Sequence, residues 1–186
     1  MRGATVWLTG LPASGKSTIG AAVEERLVAR GRFAYLLDGD NLRHGISGDL
    51  GFSAADRDLN VWRTGELARL FADAGAIAIV ALVSPFADAR HAVRQLHARS
   101  GLRFIEVYVD TPLEVCVARD PKGLYAQAQA GELRGLTGID DPYEPPTRPD
   151  LRLGADVAVP AAVDAVLGLL AGSAQLTATS RDGSGG

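Results

Sequence analysis

Short apolar runs recur along the chain and are separated by amphipathic stretches. Three strongly apolar runs predict β-strands at residues 4–9 (ATVWLT), 76–84 (AIAIVALVS) and 103–110 (RFIEVYVD). Two weaker runs predict further strands at 33–40 (FAYLLDGD) and 155–160 (ADVAVP). The chain therefore offers about five strands.

The stretches between these runs carry apolar residues at helical spacing. They predict helices at 17–31, 56–75, 86–101, 112–120 and 161–172. Strands that alternate with helices and are apolar on both faces are typical of a parallel sheet covered on both sides. We therefore predict an α/β fold with a doubly wound parallel sheet of about five strands and helices on both faces. In such sheets ligands bind at the carboxyl ends of the strands.

The loop after the first predicted strand reads GLPASGKST, residues 10–18, and matches the P-loop pattern G-x-x-x-x-G-K-[ST]. Glycines let successive backbone N–H groups point inward and surround phosphate oxygens. Lys16 is expected to reach the β- and γ-phosphates of a nucleotide and Ser17 to bind Mg²⁺. The setting of strand, loop and helix supports nucleotide binding, and lysine occurs elsewhere in the chain only at position 122.

Residues 120–150 interrupt the alternation with glycines, prolines and charges, and only 124–133 (LYAQAQAGEL) are helical in character. Long insertions in compact domains are commonly lids or disordered segments. Because this insertion begins near Lys122, we expect a lid. We assign residues 1–172 to one domain and expect 173–186, which are small and polar, to be disordered.

Composition narrows the class of partner. The 186 residues carry a net charge of −3 with no basic run, which argues against a nucleic-acid-binding surface. No apolar stretch reaches the length of a membrane span, and no signal peptide precedes the first strand. The single cysteine, Cys116, fits a reducing compartment and a buried structural role. We expect a cytoplasmic protein with small-molecule partners, no nucleic acid and no membrane.

Acidic and basic residues follow the second predicted strand in DGDNLRHG, residues 38–45. Asp38 and Asp40 could organise Mg²⁺ through water and accept a hydroxyl proton, while Arg43 could bind a second anion with its planar fork. The alternative is an aspartate-rich turn that caps a helix.

A second polar group lies in GFSAADRDLN, residues 51–60. Ser53 is a predicted helix N-cap, which places Arg57 and Asn60 one turn apart on the same helix face. These two side chains could hold one anionic group together. The alternative is a solvated helix start with Phe52 as an aromatic staple.

Taken together, GLPASGKST, LDGDNLRHG, GFSAADR, VSPFADAR and the segment from VDTPLEVCVARDPKG to DDPYEPP resemble the adenylylsulfate (APS) kinases, over about residues 4–160. The resemblance implies a P-loop kinase fold with a lid over about 120–150. It also implies transfer of the γ-phosphoryl group of ATP to the ribose 3′-hydroxyl of adenylyl sulfate, giving 3′-phosphoadenylyl sulfate and ADP in sulfate assimilation. ATP and Mg²⁺ are the implied cofactors, and a homodimer is the implied assembly.

The same resemblance implies a role for each matching residue. Catalysis is expected from Asp40, Lys16 and Asp38, with Mg²⁺ bound to Ser17 and, through water, to Asp38. ATP is expected to contact Ala13, Ser14, Gly15, Lys16, Ser17, Thr18 and, through its base, Ala158. Adenylyl sulfate is expected to contact Asp40, Asn41, Leu42, Arg43, Phe52, Arg57, Asn60, Val83, Ser84, Lys122, Gly135 and Leu136. Among these, Phe52 would stack on the substrate adenine, and Lys122, Gly135 and Leu136 would belong to the closing lid.

The sequence departs from the family pattern at three places. Leu136 stands where an aromatic residue is common, so the substrate adenine would be stacked on one side only. Trp62-Arg63 replaces a pair of arginines, and the lid helix is less basic than usual.

Other functions fit part of the sequence. A kinase of the shikimate or gluconate type would share the P-loop but not the DGDN-x-R and KGLY segments. A GTPase would need an Asn-Lys-x-Asp motif, which the sequence lacks. A non-catalytic nucleotide-binding regulator has no need of Asp40. The chain could also be one half of a bifunctional sulfate-activating enzyme.

Overall fold

The computed structural model describes residues 3–178, with side-chain burial described to residue 172. Its elements are, in chain order, β1 (Ala4–Thr9), α1 (Lys16–Ala29), β2 (Ala34–Asp38), α2 (Gly39–Arg43), α3 (Ala54–Asp73), β3 (Ile77–Ala81), α4 (Ala87–Arg99), β4 (Arg103–Asp110), α5 (Leu113–Arg119), α6 (Leu124–Gln129), β5 (Leu151–Gly154) and α7 (Val159–Ala178).

The strands form one parallel sheet in the order β2-β3-β1-β4-β5. β1 is the central strand, with β3 and β2 on one side of it and β4 and β5 on the other. Because all the strands are parallel, their carboxyl ends lie at one edge of the sheet, where the loop after β1 stands between the loops after β3 and β4. This confirms the predicted doubly wound α/β fold.

Alternate residues of β1 face opposite cores. Val6 and Leu8 pack against α1 and α7, whereas Trp7 packs in a second core with residues of α3 and α4. Since β1 and β3 are buried at every residue, they lack the regular polar alternation of a half-exposed strand, whereas the edge strands β2 and β5 are partly exposed.

The fifth strand is not where the sequence analysis placed it. Residues 151–154 pair with β4 in the register Val107–Leu151 to Asp110–Gly154, and residues 155–158 form a turn that leads into α7 instead of a strand. This register buries Leu153 at 3% exposure, while Val157 in the predicted run stays 37% exposed. Burial against β4 therefore outweighed the intrinsic β-propensity of 155–160.

Three boundaries also differ from those predicted. β2 ends at Asp38 because Gly39 begins α2, and β3 ends at Ala81, which leaves Val83 and Ser84 in a loop. Helix α7 continues to Ala178, so residues 173–178, which we had assigned to a disordered tail, are helical. Residues 179–186 of that tail lie outside the described residues.

Candidate active site

The loop between β1 and α1 has the backbone of a phosphate-binding loop. Gly10 has φ +151° and Gly15, which precedes the first residue of α1, has φ +108°. A Cβ at Gly10 would lie 2.5 Å from the carbonyl oxygen of Val109, so only glycine fits there. The first turn of α1 presents its free N–H groups to this loop, as an anion site requires.

Lys16 is buried, at 7% exposure, and its ammonium lies within the loop. Nζ donates to the carbonyls of Gly10 at 3.0 Å and Leu11 at 2.7 Å, and to the hydroxyl of Ser14 at 3.3 Å. Burial lowers the pKa of Lys16 to about 8 because the charged ammonium loses hydration, and Asp38 offsets part of this effect.

Two adjoining cavities open at the carboxyl edge of the sheet. The first, the donor cavity, has a volume of about 540 Å³ and is lined by Ala13, Ser14, Gly15, Lys16, Ser17, Thr18, Ile19, Val109, Thr111, Arg119, Pro121, Lys122, Gly154, Ala155, Val157 and Val159. Every P-loop residue expected to contact ATP lines it. Ala158 does not, although both of its neighbours do.

The second, the acceptor cavity, has a volume of about 290 Å³. Its lining includes most residues expected to contact adenylyl sulfate or the reacting groups, namely Lys16, Ser17, Asp38, Asp40, Arg43, Phe52, Arg57, Asn60, Val83, Ser84, Lys122, Gly135 and Leu136. Asn41 and Leu42 lie outside this lining. Asn41 is exposed, and Leu42 packs in the core beside α3.

Lys16, Ser17 and Lys122 line both cavities. Two cations and a hydroxyl therefore stand at the junction, which is where a phosphoryl group would pass from a molecule in the donor cavity to one in the acceptor cavity.

The Asp38 carboxylate caps a helix and also contacts the P-loop. One oxygen caps α2 by accepting from the N–H of Asp40 at 3.0 Å, and the other accepts from the hydroxyl of Ser17 at 2.6 Å. The helix-capping interpretation is therefore correct for Asp38. The same side chain also forms an oxygen pair with Ser17 at the junction of the cavities.

Asp40 lies in the first turn of α2, where its carboxylate is half-exposed and contacts the ammonium of Lys122. The contact joins the start of the lid segment to the residue predicted to accept the hydroxyl proton. The two residues are 82 positions apart in sequence.

A pair of arginines surrounds Phe52. The guanidinium of Arg43 lies 4.3 Å from the centre of the Phe52 ring and that of Arg57 lies 5.8 Å from it. Partial burial lowers the pKa of both arginines, and their proximity adds to this for Arg43. Arg57 also donates from Nε to the carbonyl of Phe52 at 3.0 Å and approaches Asp141 of the lid at 3.6 Å.

The start of α3 is capped as predicted, because the Ser53 hydroxyl accepts from the N–H of Asp56 at 3.2 Å. Asn60, one turn after Arg57, is 3% exposed, and its Oδ1 has no hydrogen-bond partner among the described residues. A buried amide oxygen of this kind costs free energy unless a ligand or water satisfies it.

The lid segment contacts both cavities. Helix α6 covers 124–129 of the predicted 124–133, and the hydroxyl of Tyr125 donates to the carbonyl of Pro12 in the P-loop at 3.0 Å. Leu136 is 7% exposed and packs with Tyr125 and Cys116. Cys116 is buried, as expected.

The departure at Trp62-Arg63 falls outside the acceptor cavity. Trp62 is 43% exposed, and Arg63 forms an ion pair with Asp49 through both of its terminal nitrogens. Neither side chain lines the cavity.

Three residues at the site were missed by the sequence analysis. Arg119 and Thr111 line the donor cavity and both donate to the carbonyl of Ser14, at 3.2 Å and 2.8 Å. Arg90 is buried behind the acceptor cavity. Arg119 could have been found as a cation that ends a helix directly before the lid. Thr111 and Arg90 lie within the segments VDTPLEVCVARDPKG and VSPFADAR that carry the family resemblance, but no role was predicted for either.

Among the described residues, no group of three or more His, Cys, Asp and Glu side chains could hold a metal ion. None of the helices within residues 3–178 is long and apolar enough to cross a membrane.

A family model, curated relatives and solved structures all match this chain to the same family of proteins. The model of the family described as adenylylsulphate kinase matches residues 2–154. The adenylyl-sulfate kinase of Yersinia pestis is 51% identical over 173 residues, which cover 93% of this chain and 80% of that protein.

The bifunctional enzyme CysN/CysC of Mycobacterium tuberculosis (strain H37Rv) is 51% identical over 172 residues. These residues cover 92% of this chain but 28% of that enzyme, so the chain spans little more than a quarter of this relative's length. The solved structure of the M. tuberculosis APS kinase CysC in complex with AMPPNP and APS matches with a TM-score of 0.89 and 51% identity, over 91% of this chain and 98% of that one.

Proposed function

The chain belongs to the adenylylsulphate kinase family, and from this premise we propose that it transfers the γ-phosphoryl group of ATP to the ribose 3′-hydroxyl of adenylyl sulfate. The products are 3′-phosphoadenylyl sulfate and ADP. In this reaction the hydroxyl oxygen forms a bond to the γ-phosphorus, the bond to the β,γ-bridging oxygen breaks, and the hydroxyl proton leaves.

The observation that carries the proposal is the junction of the donor and acceptor cavities at Lys16, Ser17 and Lys122. Phosphoryl transfer requires two substrates held in line and neutralisation of the phosphate charge, more than covalent chemistry by the protein. A P-loop on one side of this junction and a carboxylate with two arginines on the other match that requirement.

On the donor side, Ala13 to Thr18 bind the phosphates of ATP. Ala158 is assigned to the ATP base from the family resemblance alone. Lys16 provides a compact charge to the β- and γ-phosphates. We add Arg119 to this group, because its guanidinium is fixed beside the P-loop by the Ser14 carbonyl.

On the acceptor side, Arg43, Arg57 and Asn60 bind the phosphosulfate group. The arginines around Phe52 support this assignment, as does the position of Asn60, Val83 and Ser84 in the lining of the acceptor cavity. Phe52 stacks on the adenine, while Gly135 and Leu136 close over it. Asn41 and Leu42 remain assigned to the substrate from the family resemblance alone.

Asp40 accepts the proton of the attacking hydroxyl. Its carboxylate is half-exposed and lines the acceptor cavity within reach of Lys122. Since Lys122 contacts this carboxylate, binding of adenylyl sulfate is expected to redirect the ammonium toward the substrate phosphate and leave Asp40 free to act as a base.

Mg²⁺ fits the oxygen pair of Ser17 and Asp38. Mg²⁺ in kinases is commonly bound by one or two protein oxygens together with phosphates and water, so a larger protein ligand set is not needed. When bound, the ion would neutralise charge on the β- and γ-phosphates. Ser17 would hold it directly and Asp38 would hold it through water.

An ADP-release assay tests the function. Adenylyl sulfate, AMP, shikimate and gluconate are offered as acceptors with ATP and Mg²⁺, and the product is analysed for phosphate at the 3′ position. The proposal is supported if ADP is released with adenylyl sulfate and with none of the other three acceptors. Turnover with shikimate or gluconate would replace the substrate class, and nucleotide binding without turnover on any acceptor would indicate a regulatory protein.

The family resemblance also supports a homodimer, which sedimentation equilibrium of the purified chain tests directly. A cytoplasmic location is proposed with it because the reaction consumes ATP. Cell fractionation tests that location.

A further inference from the structure

A buried arginine, Arg90 of α4, joins three segments behind the acceptor cavity. Its side chain is 3% exposed. Nη1 donates to the carbonyl of Ser84 at 2.6 Å, Nη2 donates to the carbonyl of Glu144 at 2.6 Å, and Nε donates to a carboxylate oxygen of Glu106 at 3.1 Å. Because the donors of a guanidinium point in fixed directions, this group fixes the relative positions of all three acceptors.

Ser84 is a residue that needs such support. Its φ of +41° is unusual for a residue with a side chain, and such a backbone persists only where its surroundings hold it. The Ser84 hydroxyl accepts from Nε1 of Trp7 at 3.0 Å and donates to the hydroxyl of Thr9 at 3.0 Å. Arg90 holds the carbonyl of the same residue, so both the side chain and the backbone of Ser84 are fixed. We call residues 83–85 the acceptor wall, because they line the acceptor cavity.

Residues 143–146, which we call the return segment, follow the lid loop and are bonded to the acceptor wall and its neighbours. The hydroxyl of Tyr143 lies 2.9 Å from that of Thr9, the N–H of Glu144 donates to the carbonyl of Pro85 at 2.9 Å, and the Glu144 carboxylate accepts from the N–H of Ala87 at 2.7 Å. Together with the bond from Arg90, these contacts tie the end of the lid to the loop that carries Ser84.

The two ends of the lid are attached differently. The start of the lid contacts both sites, because Tyr125 donates to the P-loop and Lys122 contacts Asp40 of the acceptor cavity, whereas the return segment is bonded to the loop that carries Ser84. Loss of the hydrogen bonds that hold the return segment should therefore disturb the acceptor cavity and leave the P-loop contact of Tyr125 intact.

We propose that Arg90 is a positioning residue for the acceptor site, which holds Ser84 and the return segment at the spacing that the acceptor nucleotide requires. Arg90 lines neither cavity, so it acts through these two neighbours. The proposal rests on the proposed function, because it assigns the acceptor cavity to adenylyl sulfate.

Arg94 offers a matched control. It lies one turn further along α4 and shares Glu106 with Arg90, at 3.4 Å, and it also binds Asp150 at 2.7 Å. Within the described part of the chain, its hydrogen bonds include neither Ser84 nor Glu144. Loss of Arg94 therefore removes a more exposed ion pair with the same carboxylate and keeps the bonds to Ser84 and Glu144.

The experiment measures KM for each substrate with the other saturating. Arg90→Lys keeps a charge beside Glu106 but loses the planar fork, and Arg90→Gln with Glu106→Gln removes both charges so that neither is left buried alone. Each variant that folds should raise KM for adenylyl sulfate by about ten-fold or more, because small displacements of a binding wall are costly, and leave KM for ATP within about two-fold. Arg94→Gln should leave both KM values within about two-fold of wild type.

The outcomes separate this proposal from the function on which it rests. If the wild-type chain does not phosphorylate adenylyl sulfate, the proposed function fails and the proposal for Arg90 fails with it. If wild type is active, three results would show that Arg90 is only a structural residue: both KM values rise equally, only the melting temperature falls, or neither Arg90→Lys nor Arg90→Gln with Glu106→Gln folds. In each case the proposal for Arg90 is wrong and the proposed function stands.

Discussion

Lys16 makes the charge of the donor site sensitive to pH near physiological values. Because burial lowers its pKa to about 8, about half of the ammonium is deprotonated at that pH and most of it above. Phosphate oxygens stabilise only the charged form, so bound ATP should raise the pKa again.

We therefore predict that ATP affinity is constant below about pH 7 and weakens above pH 8, by at most about ten-fold per pH unit. Calorimetric titration of ATP between pH 7 and 9.5 measures this, and proton uptake on binding should appear near pH 8.5 in buffers of different ionisation enthalpy. An affinity that stays constant to pH 9.5 would show that Lys16 remains charged in the free protein.

Asp40 carries a second residue-scale prediction. Asp40→Asn keeps the size of the side chain but cannot accept a proton as a base, so it should retain binding of both substrates and lower the single-turnover rate by about 100-fold or more. Rapid-quench measurement with ATP and adenylyl sulfate provides the test. Asp49→Asn is the control, because Asp49 pairs with Arg63 outside the cavity. A near-normal rate for Asp40→Asn would move the base to Asp38 or remove the need for one.

Residues whose role depends on neighbouring positions in the chain could be predicted from the sequence. The P-loop is contiguous, and the Ser53 cap lies within four residues of the N–H that it accepts. The roles of Arg90 and Thr111 could not be found in this way, since they depend on remote partners: the bond from Arg90 to Glu144 spans 54 positions and that from Thr111 to Ser14 spans 97. Only the fold brings such residues together.

The same distinction holds for whole elements. β4 has the bounds that its eight-residue apolar run predicts, because both faces of the run are buried. β5 has four residues and is formed by pairing with β4, so its sequence carries little signal of its own. The lid helix α6 ends before Gly131, which has φ +75° and therefore ends the helix earlier than the apolar pattern suggested.

The lid loop beyond α6 approaches the P-loop closely at Gly138. This glycine has φ +94°, and a Cβ there would lie 2.8 Å from the side chain of Leu11. We predict that Gly138→Ala lowers kcat/KM for adenylyl sulfate by about ten-fold, because it combines backbone strain with displacement of the lid from Leu11.

Gly131→Ala is the matched control for the lid. Gly131 also has a positive φ, but a Cβ there would meet nothing within 4 Å. It should change kcat/KM by less than about three-fold, since strain alone does not move the lid. Equal effects in steady-state kinetics would show that strain, and not the contact with Leu11, limits the lid.

At the scale of the whole molecule, the order of the strands decides where the chemistry lies. The sequence predicts alternating elements, but not that β1 stands between β3 and β4. This order places the P-loop beside Ser84 on one side and Thr111 on the other, so the donor and acceptor cavities meet. The junction is therefore a property of the topology and of no single motif.

The core that supports this topology contains a histidine that is fully buried. Nδ1 of His97 lies 2.9 Å from the carbonyl of Val93, and Nε2 lies 2.9 Å from the hydroxyl of Thr5 in β1. A carbonyl can only accept, so Nδ1 carries a hydrogen, and in the neutral ring Nε2 accepts from the Thr5 hydroxyl. His97 thus joins α4 to the central strand, and its burial favours the neutral form.

Burial lowers the pKa of His97, and the nearby charge of Arg69 adds to this while the Val93 carbonyl and Glu66 oppose it. The unfolded chain then binds a proton more readily than the folded one, so the free energy of unfolding should be highest above about pH 6.5 and fall as the pH drops below that value. Each unit of pKa difference contributes about 1.4 kcal/mol once both states are protonated. Urea unfolding between pH 7.5 and 5.5 should show this loss in wild type and in the exposed control His91→Gln. His97→Gln should be less stable at pH 7.5 but should lose less on acidification, and parallel curves for wild type and His97→Gln would place the titrating group elsewhere.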